Sequence, residues 1–315
     1  MEAKWLEDFL SVARTGNFSQ SASEMHITQS AFSRRIKALE QWVGVALIDR
    51  STYPTRLTPA GERFRDAARE ATATLLKTRQ ELRQALHADR KLLRIAVQHS
   101  LAASFLAPWL ARLPIRRDDL LVRATADNLH DCVRGLEEGS VDLLVCYSHP
   151  ELPLHLDAAR YPSMSLAADA LVAFSRPDAA GRPLHALQQD LHHDLRQDSP
   201  AVPWLAYSEG TFLSRAASLA LREPGPAPSL HPVVESALAE ALRAAAVAGL
   251  GVAWLPDSLV ASDLESGALV RAGGVEFDVA LQICLYGEKS VVEGRLKGLW
   301  QAARAAADGD PARPG

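Results

Sequence analysis

Cysteine and methionine are scarce in this 315-residue chain, three of each. Cys132, Cys146 and Cys284 form an odd, widely spaced trio, which fits neither a disulfide framework nor a zinc module and suits a reducing cytoplasm. No apolar run approaches the roughly 18 to 20 residues that a membrane helix needs. The opening Met1-Glu2-Ala3-Lys4-Trp5-Leu6-Glu7 lacks the basic flank and apolar stretch of a secretory signal, so a cytoplasmic location without membrane attachment is expected. A strong excess of either charge is also missing, since the formal net charge is −4. What is there, 48% apolar and 23% charged residues, is the composition of an ordinary globular protein, long enough for two or three domains.

The small net charge averages over unlike parts. Residues 1–90 hold 14 Lys and Arg against 11 Asp and Glu, a balance of +3, which leaves −7 for the remainder. The division suggests a small basic module joined to a larger acidic one.

Helical periodicity dominates the first 90 residues. Leu6, Phe9, Leu10 and Ala13 mark the apolar face of a first helix, ended by Gly16-Asn17. Ser19 is the expected N-cap of a second, short helix with Ala22 and Met25 inward, and Thr28 that of a third. In the third helix Phe32, Ile36, Leu39 and Val43 face inward and Gly44 follows the end. The connection Met25-His26-Ile27-Thr28 has the length of a helix-turn-helix turn. Leu47-Ile48-Asp49-Arg50 and Arg56-Leu57 around Ser51-Thr52-Tyr53-Pro54-Thr55 read as the two short strands of a wing. Thr58-Pro59 opens a long helix in which Phe64, Ala68, Ala71, Leu75, Thr78, Leu82 and Ala85 repeat as a coiled-coil seam. At about 28 residues it would span roughly 40 Å. Pairing with a second chain is one reading of the seam, packing on its own domain the other.

After Arg90, strands expected at Leu92–Val97, Leu120–Ala124, Leu143–Tyr147, Ala170–Phe174, Trp204–Tyr207, Gly251–Leu255 and Val279–Leu285 alternate with helical stretches. Those helices fall near Leu101–Leu113, Leu129–Glu138, Phe212–Arg222 and Ser236–Ala248. The alternation indicates an α/β domain, and its length suggests two lobes. Glu223–Ser229 reads as a surface loop and Asp308–Gly315 as a frayed tail.

On a helical wheel the third helix turns Ser30, Ser33, Arg34 and Lys37 outward, with Gln29 at its exposed start. Arg and Lys reach guanine or phosphate, Gln pairs with adenine, and the serines donate to either. The helix start at Thr28-Gln29 offers free N–H groups to phosphate, and Arg50 and Arg56 suit backbone or minor-groove contact at the wing. A solvated polar face is the plainer reading of that helix taken alone.

The phrases Trp5-Leu6-Glu7-Asp8-Phe9-Leu10, Asn17-Phe18-Ser19-Gln20-Ser21-Ala22, Ile27-Thr28-Gln29-Ser30-Ala31-Phe32-Ser33-Arg34-Arg35-Ile36, Gly44-Val45-Ala46-Leu47-Ile48-Asp49-Arg50 and Leu57-Thr58-Pro59-Ala60-Gly61 closely resemble LysR-type transcriptional regulators. The likeness is continuous over about 60 residues. Together with Gly251-Val252-Ala253-Trp254-Leu255-Pro256, parts of it are most similar to the hypochlorite-responsive branch. The resemblance implies a winged helix-turn-helix head, a long linker helix and a two-lobed, periplasmic-binding-protein-like α/β effector domain. Expected boundaries are 1–58, 59–90 and 91–308, with lobe one at 91–162 and 269–307 and lobe two at 163–268. Expected partners are double-stranded promoter or operator DNA, a second copy or three further copies of the chain, and a small-molecule effector. The candidate DNA-contacting set is Thr28, Gln29, Ser30, Ser33, Arg34, Arg35, Lys37, Arg50 and Arg56. Trp42 departs from the usual smaller apolar residue and reads as filling space beside the wing.

For the effector, strand ends that lead into helix starts are the places to look. The candidates are His99, Ser100, Leu101, Asn128, Tyr147 and Ser148 from one lobe, and Gly210 and Thr211 from the other. Ser100 and Thr211 would supply hydroxyls across the cleft; ordinary helix caps are the alternative. Asp127 and Glu209 argue against a plain carboxylate ligand. No nucleophile elbow surrounds Ser100, whose flanks are Gln98 and Ala102, so no catalytic residue, cofactor or enzyme activity is expected. His192-His193-Asp194 reads as solvated surface rather than a metal site. The alternative to a ligand is oxidant sensing through thiol or methionine. Cys132, beside Asp131 and near Arg134 on a polar helix, is its candidate; Cys146 and Cys284 read as core, and Met25 and Met164 are the internal methionines.

Overall fold

The apolar repeats of the first 85 residues close into helices around one small core. Helix α1 (Ala3–Thr15) buries Leu6, Phe9 and Val12 and ends on Gly16 in the left-handed region. Helix α2 (Phe18–Glu24) starts earlier than expected: its cap is Asn17, whose side chain accepts from the Ser19 and Gln20 amides at 2.9 and 3.2 Å, and Ser19 lies inside the helix. Helix α3 (Gln29–Val43) is capped by Thr28, which accepts from Ala31 N at 3.3 Å, and ends on left-handed Gly44. Strands β1 (Ile48–Asp49) and β2 (Arg56–Leu57) pair antiparallel as the wing. Thr58 caps α4 (Pro59–Ala85) by accepting from Gly61 N at 3.0 Å while donating to Ala46 O at 2.8 Å. Gly61 sits so close to the wing that a Cβ there would lie 2.0 Å from Leu47 O, so only glycine lets the helix start against that carbonyl.

This computed structural model of the chain describes residues 2–25, 27–51, 54–85, 91–113, 120–187, 201–222 and 228–308. His26 in the helix-turn-helix connection, Thr52 and Tyr53 at the wing tip, the His192-His193-Asp194 segment, most of the loop at 223–229 and the tail from 309 lie outside them. The chain divides into two compact units, residues 1–88 with 137–140, and 89–136 with 141–315.

In the second unit, β3 (Lys91–Gln98), α5 (His99–Ser104), α6 (Leu106–Arg112), β4 (Leu120–Asp127), α7 (Leu129–Glu137) and β5 (Leu143–Ser148) form the first lobe. The helical stretch expected from Leu101 to Leu113 is two helices, broken at Phe105. Next come β6 (Ser163–Ser175), β7 (Val202–Tyr207), α8 (Phe212–Ala220), β8 (Leu230–Ser236), α9 (Ala239–Val247), β9 (Ala253–Pro256), α10 (Asp257–Ser266), β10 (Val270–Arg271) and β11 (Val279–Gly287), followed by α11 (Lys289–Val292) and α12 (Lys297–Asp308). The strands run β10-β6-β11-β5-β3-β4, with β9 also on β6, and β7 and β8 form a separate parallel pair. β3 is parallel to β4 and β5, whereas β11 is antiparallel to both β5 and β6.

Two long strands hold the lobes together. β6 pairs with β11 through its first nine residues and with β9 through its last turn of pleat. β11 in turn pairs with β5 of the first lobe. These are the two crossing segments of a two-lobed α/β domain, and β6 begins seven residues before the strand read at Ala170. Strand β8 has no counterpart in the sequence reading. Pro232 and His231 obscure its alternation, and the register shifts where Trp204 meets Pro232, which has no N–H for a ladder. Helices α10 and α12 were also not anticipated.

A buried ion cluster closes the end of the first lobe. Asp142, just before β5, accepts from the Arg94 backbone N–H at 2.9 Å and from its guanidinium, and also pairs with Arg295. Burial is the main cause that holds the Arg94 pKa below its ordinary value, against the pull of Asp142.

Candidate nucleic-acid interface and effector site

Helix α3 is fixed by its inner face. Phe32, Ile36 and Leu39 are fully buried, and Phe18 meets Phe32 edge-on at 5.7 Å. Its outer face leaves Thr28, Gln29, Ser30, Arg34 and Lys37 exposed and Ser33 half-buried. Arg34 Nε donates to Ser30 O at 3.4 Å, and among the described residues neither Arg34 nor Lys37 has a carboxylate partner. Gln29 and Ser33 line a concavity of about 350 Å³ with Asn17, Phe18 and Ser19 from the start of α2 and Arg50 and Thr55 from the wing. The helix starts and the wing thus converge on one surface. Asn17, Phe18, Ser19 and Thr55 are additions to the candidate set; the capping chemistry of Asn17 was the available signal.

Two of the candidate cations are engaged within the domain. Arg35 Nη1 lies 3.3 Å from Asp8 Oδ2 on α1. The Asp8 carboxyl is almost fully buried, and burial raises its pKa despite that partner. Arg35 therefore braces α1 against α3 and is half-buried. Arg50 pairs with Glu40 at 3.0 Å and lies 5.1 Å over the Phe18 ring. The other Glu40 oxygen accepts from Leu47 N and Ile48 N at 2.9 and 3.1 Å, so one carboxylate ties the last turns of α3 to the wing. Arg50 keeps an exposed edge, and Arg56 is exposed. Trp42 does not fill space beside the wing: it is 57% exposed, with Val45 also exposed next to it in sequence.

The seam of α4 is divided. Phe64 packs edge-on to Phe9 at 5.3 Å and Ala68 is buried, whereas Ala71 and Thr78 are exposed and Leu75 is 57% exposed. The side chains of Leu82 and Ala85 lie outside the described set.

In the second unit, the expected effector residues fall on both faces of the sheet. Ser100 is only 3% exposed and Tyr147 fully buried, and the Ser100 carbonyl accepts from Ser104 Oγ at 2.9 Å. The Tyr147 hydroxyl donates to Asp169 Oδ2 at 3.2 Å, Ser258 Oγ donates to the same oxygen at 2.7 Å, and Ser104 and Ser258 hydroxyls lie 3.2 Å apart. Burial and the neighbouring Asp169 charge push the Tyr147 phenol well above its ordinary pKa, so it stays a donor. Gln98, also buried, accepts from Tyr147 N at 2.6 Å. Gln98, Asp169 and Ser258 are the members of this network that the sequence did not reveal.

Thr211 caps α8, accepting from Ser214 N at 3.1 Å, and the next residue, Phe212, stacks on Tyr147 at 6.3 Å. The end of β5 and the start of α8 are therefore in contact. His99 and Thr211 are half-buried and Asn128 and Gly210 exposed. Two candidates are corrected. Leu101 is wholly inside the core and offers no ligand-facing surface. Ser148 follows Tyr147 on one strand and so points to the opposite face, where it lines a separate cavity with Cys284 and Tyr286.

Cys132 is likewise corrected. It is 2% exposed, sharing the inner face of α7 with Leu129 and Leu136, and burial pushes its thiol up to about 12. A redox thiol needs the reverse, exposure and a depressed pKa. Cys146 and Cys284 are buried too, also with raised values. Among the described residues no group of three His, Cys, Asp or Glu side chains is placed to hold a metal ion.

Comparison with known proteins agrees with this geometry. Residues 3–62 match the profile of the bacterial regulatory helix-turn-helix protein, lysR family, and residues 87–307 that of the LysR substrate binding domain. The HTH-type transcriptional regulator YjiE of Escherichia coli is 29% identical over 305 residues, 96% of this chain and 94% of YjiE. HdfR of Yersinia enterocolitica is 34% identical over 152 residues, 48% of this chain and 51% of HdfR. Among solved structures, Vibrio fischeri DarR in complex with DNA has 27% identity and a TM-score of 0.57, covering 98% of this chain and 99% of that one. The full-length hypochlorite-specific LysR-type regulator HypT of Salmonella typhimurium has 26% identity and a TM-score of 0.59, covering 98% and 100%. Among the described residues no helix is long and apolar enough to cross a membrane. A helix-turn-helix with an open polar recognition face, followed by a two-lobed α/β domain, and a profile match over most of the length lead to one conclusion: the chain belongs to the LysR family of DNA-binding transcriptional regulators.

Proposed function

We propose that residues 1–58 read operator DNA, that α4 within 59–90 pairs copies of the chain, and that residues 91–308 sense a small molecule between their lobes. The observation that carries the DNA reading is the outer face of α3. Gln29, Ser30, Arg34 and Lys37 are exposed on a helix whose other side is locked by Phe32, Ile36 and Leu39. Free Arg and Gln side chains at a helix start are suited to base edges in the major groove, and Arg56 with the outer edge of Arg50 is suited to phosphate. The exposed Leu75 supports pairing through α4, because an apolar seam in water favours a second helix. Pairing doubles the weak +3 charge of residues 1–90, into a homodimer or a homotetramer on a roughly palindromic site. Such a protein works in the cytoplasm, beside the chromosome, and carries out no reaction.

For the effector, the reading rests on the stacked Tyr147–Phe212 pair and the surrounding Ser100, Asp169 and Ser258 network between the lobes. A ligand that enters there with His99, Asn128 and Thr211 at the rim meets the Asp169 carboxylate. The site therefore favours a ligand with donor groups over a plain carboxylate. An oxidant response like that named for HypT is the second reading. Met164, half-buried at a cavity, is the side chain that favours it, since burial leaves all three thiols poorly placed.

The test is an anisotropy titration against the chain's native promoter. Arg34→Ala is expected to weaken binding by about 1 to 3 kcal/mol and to relax base preference. Unchanged affinity would remove α3 from the contact surface.

A further inference from the structure

Turned away from Tyr147, the far face of the sheet carries a concavity that the effector reading does not use. Ser148 of β5, Gln282, Cys284 and Tyr286 of β11, and Ser163 and Ser165 of β6 share that face by strand alternation and register. Helix α12 adds Arg304, and the cavity measures about 490 Å³, within the range of small-molecule sites.

The chemistry of this lining is unusual for a sheet face lying under a helix. Three serines, a tyrosine and a glutamine occupy positions where apolar packing would be the ordinary solution. Ser148 lies across from Gln282 in the ladder, and Ser163 and Ser165 lie across from Tyr286 and Cys284. Among the described residues no carboxylate lines the cavity and Arg304 has no carboxylate partner. One free guanidinium beside a field of hydroxyls specifies a ligand with a single carboxylate end and an oxygen-rich body. A bare inorganic anion would satisfy the arginine but leave most of the volume, and most of the hydroxyls, unused.

We propose that this cavity is a second ligand site, which binds a small hydroxy- or oxo-carboxylate with its carboxylate on Arg304 and its other oxygens on Ser148, Ser163, Ser165, Gln282 and Tyr286. The site lies on β6 and β11, the strands that run from one lobe to the other, and on α12. A ligand there fastens both crossing strands to one helix, independently of whatever occupies the space between the lobes.

Calorimetric titration of the full chain with gluconate, glycerate and pyruvate, each carrying one carboxylate, tests the site. At least one is expected to bind saturably with Kd below about 10 mM, with chloride and phosphate giving no saturable heat at matched ionic strength. Arg304→Gln, a change at an exposed helix position, should weaken that binding tenfold or more, and Tyr286→Phe should weaken it severalfold. Ser100→Ala should leave it unchanged. Absence of saturable binding by all three acids, or equal affinity in Arg304→Gln, overturns the proposal. Equal binding of phosphate overturns the carboxylate class, and a loss in Ser100→Ala moves the ligand to the space between the lobes.

Discussion

The two units expose their working groups in opposite ways. In the DNA-binding unit, Gln29, Ser30, Arg34 and Lys37 point out of a core built from other side chains. In the regulatory unit, Ser100 and Tyr147 sit inside a hydrogen-bond network that also joins the lobes. The residues proposed to sense there are structural residues as well. A reader of DNA can be assembled from a rigid helix with a disposable surface. A switch between lobes has to place its sensitive groups where the lobes touch, so altering them alters the resting protein.

That contrast can be broken by stability measurements on single variants, best followed by chemical denaturation. The largest loss is expected for Asp142→Ala, which strands the buried Arg94 guanidinium and should cost about 3 to 5 kcal/mol in the regulatory unit. A loss under 1 kcal/mol would mean that water reaches Arg94 easily. Tyr147→Phe removes one hydrogen bond to Asp169 and keeps the stack on Phe212, so about 0.5 to 1.5 kcal/mol should be lost, confined to the regulatory unit. No change there would separate sensing from structure after all. Smallest of all should be Trp42→Ala, within about 0.5 kcal/mol, because the ring is mostly in water. A larger fall would show that the exposed ring covers something in the assembled protein.

The same contrast explains what the sequence made legible. In α3, every relevant distance is local: Thr28 caps, Phe32, Ile36 and Leu39 repeat, and the opposite face is the reading face. The Arg35 ion pair is not legible there, because its partner Asp8 is 27 residues away. In the sheet, alternation makes Tyr147 and Ser148 face opposite ways, but which face meets the second lobe depends on β6 and β11, far along the chain. Cys132 was misjudged from its charged neighbours Asp131 and Arg134. The spacing of Leu129, Cys132 and Leu136, three and four apart, was the better guide, and it puts the thiol on the buried stripe. Asp169 and Ser258 lie 89 residues apart, with no pattern linking them until the fold does.

Glu40 has a consequence for how an operator is measured. By holding Leu47 N, Ile48 N and the Arg50 guanidinium at once, it makes recognition helix and wing a caliper with fixed jaws. One head then cannot stretch to suit a half-site of different width. On the proposed pairing through α4, tolerance for imperfect operators would come from the distance between heads.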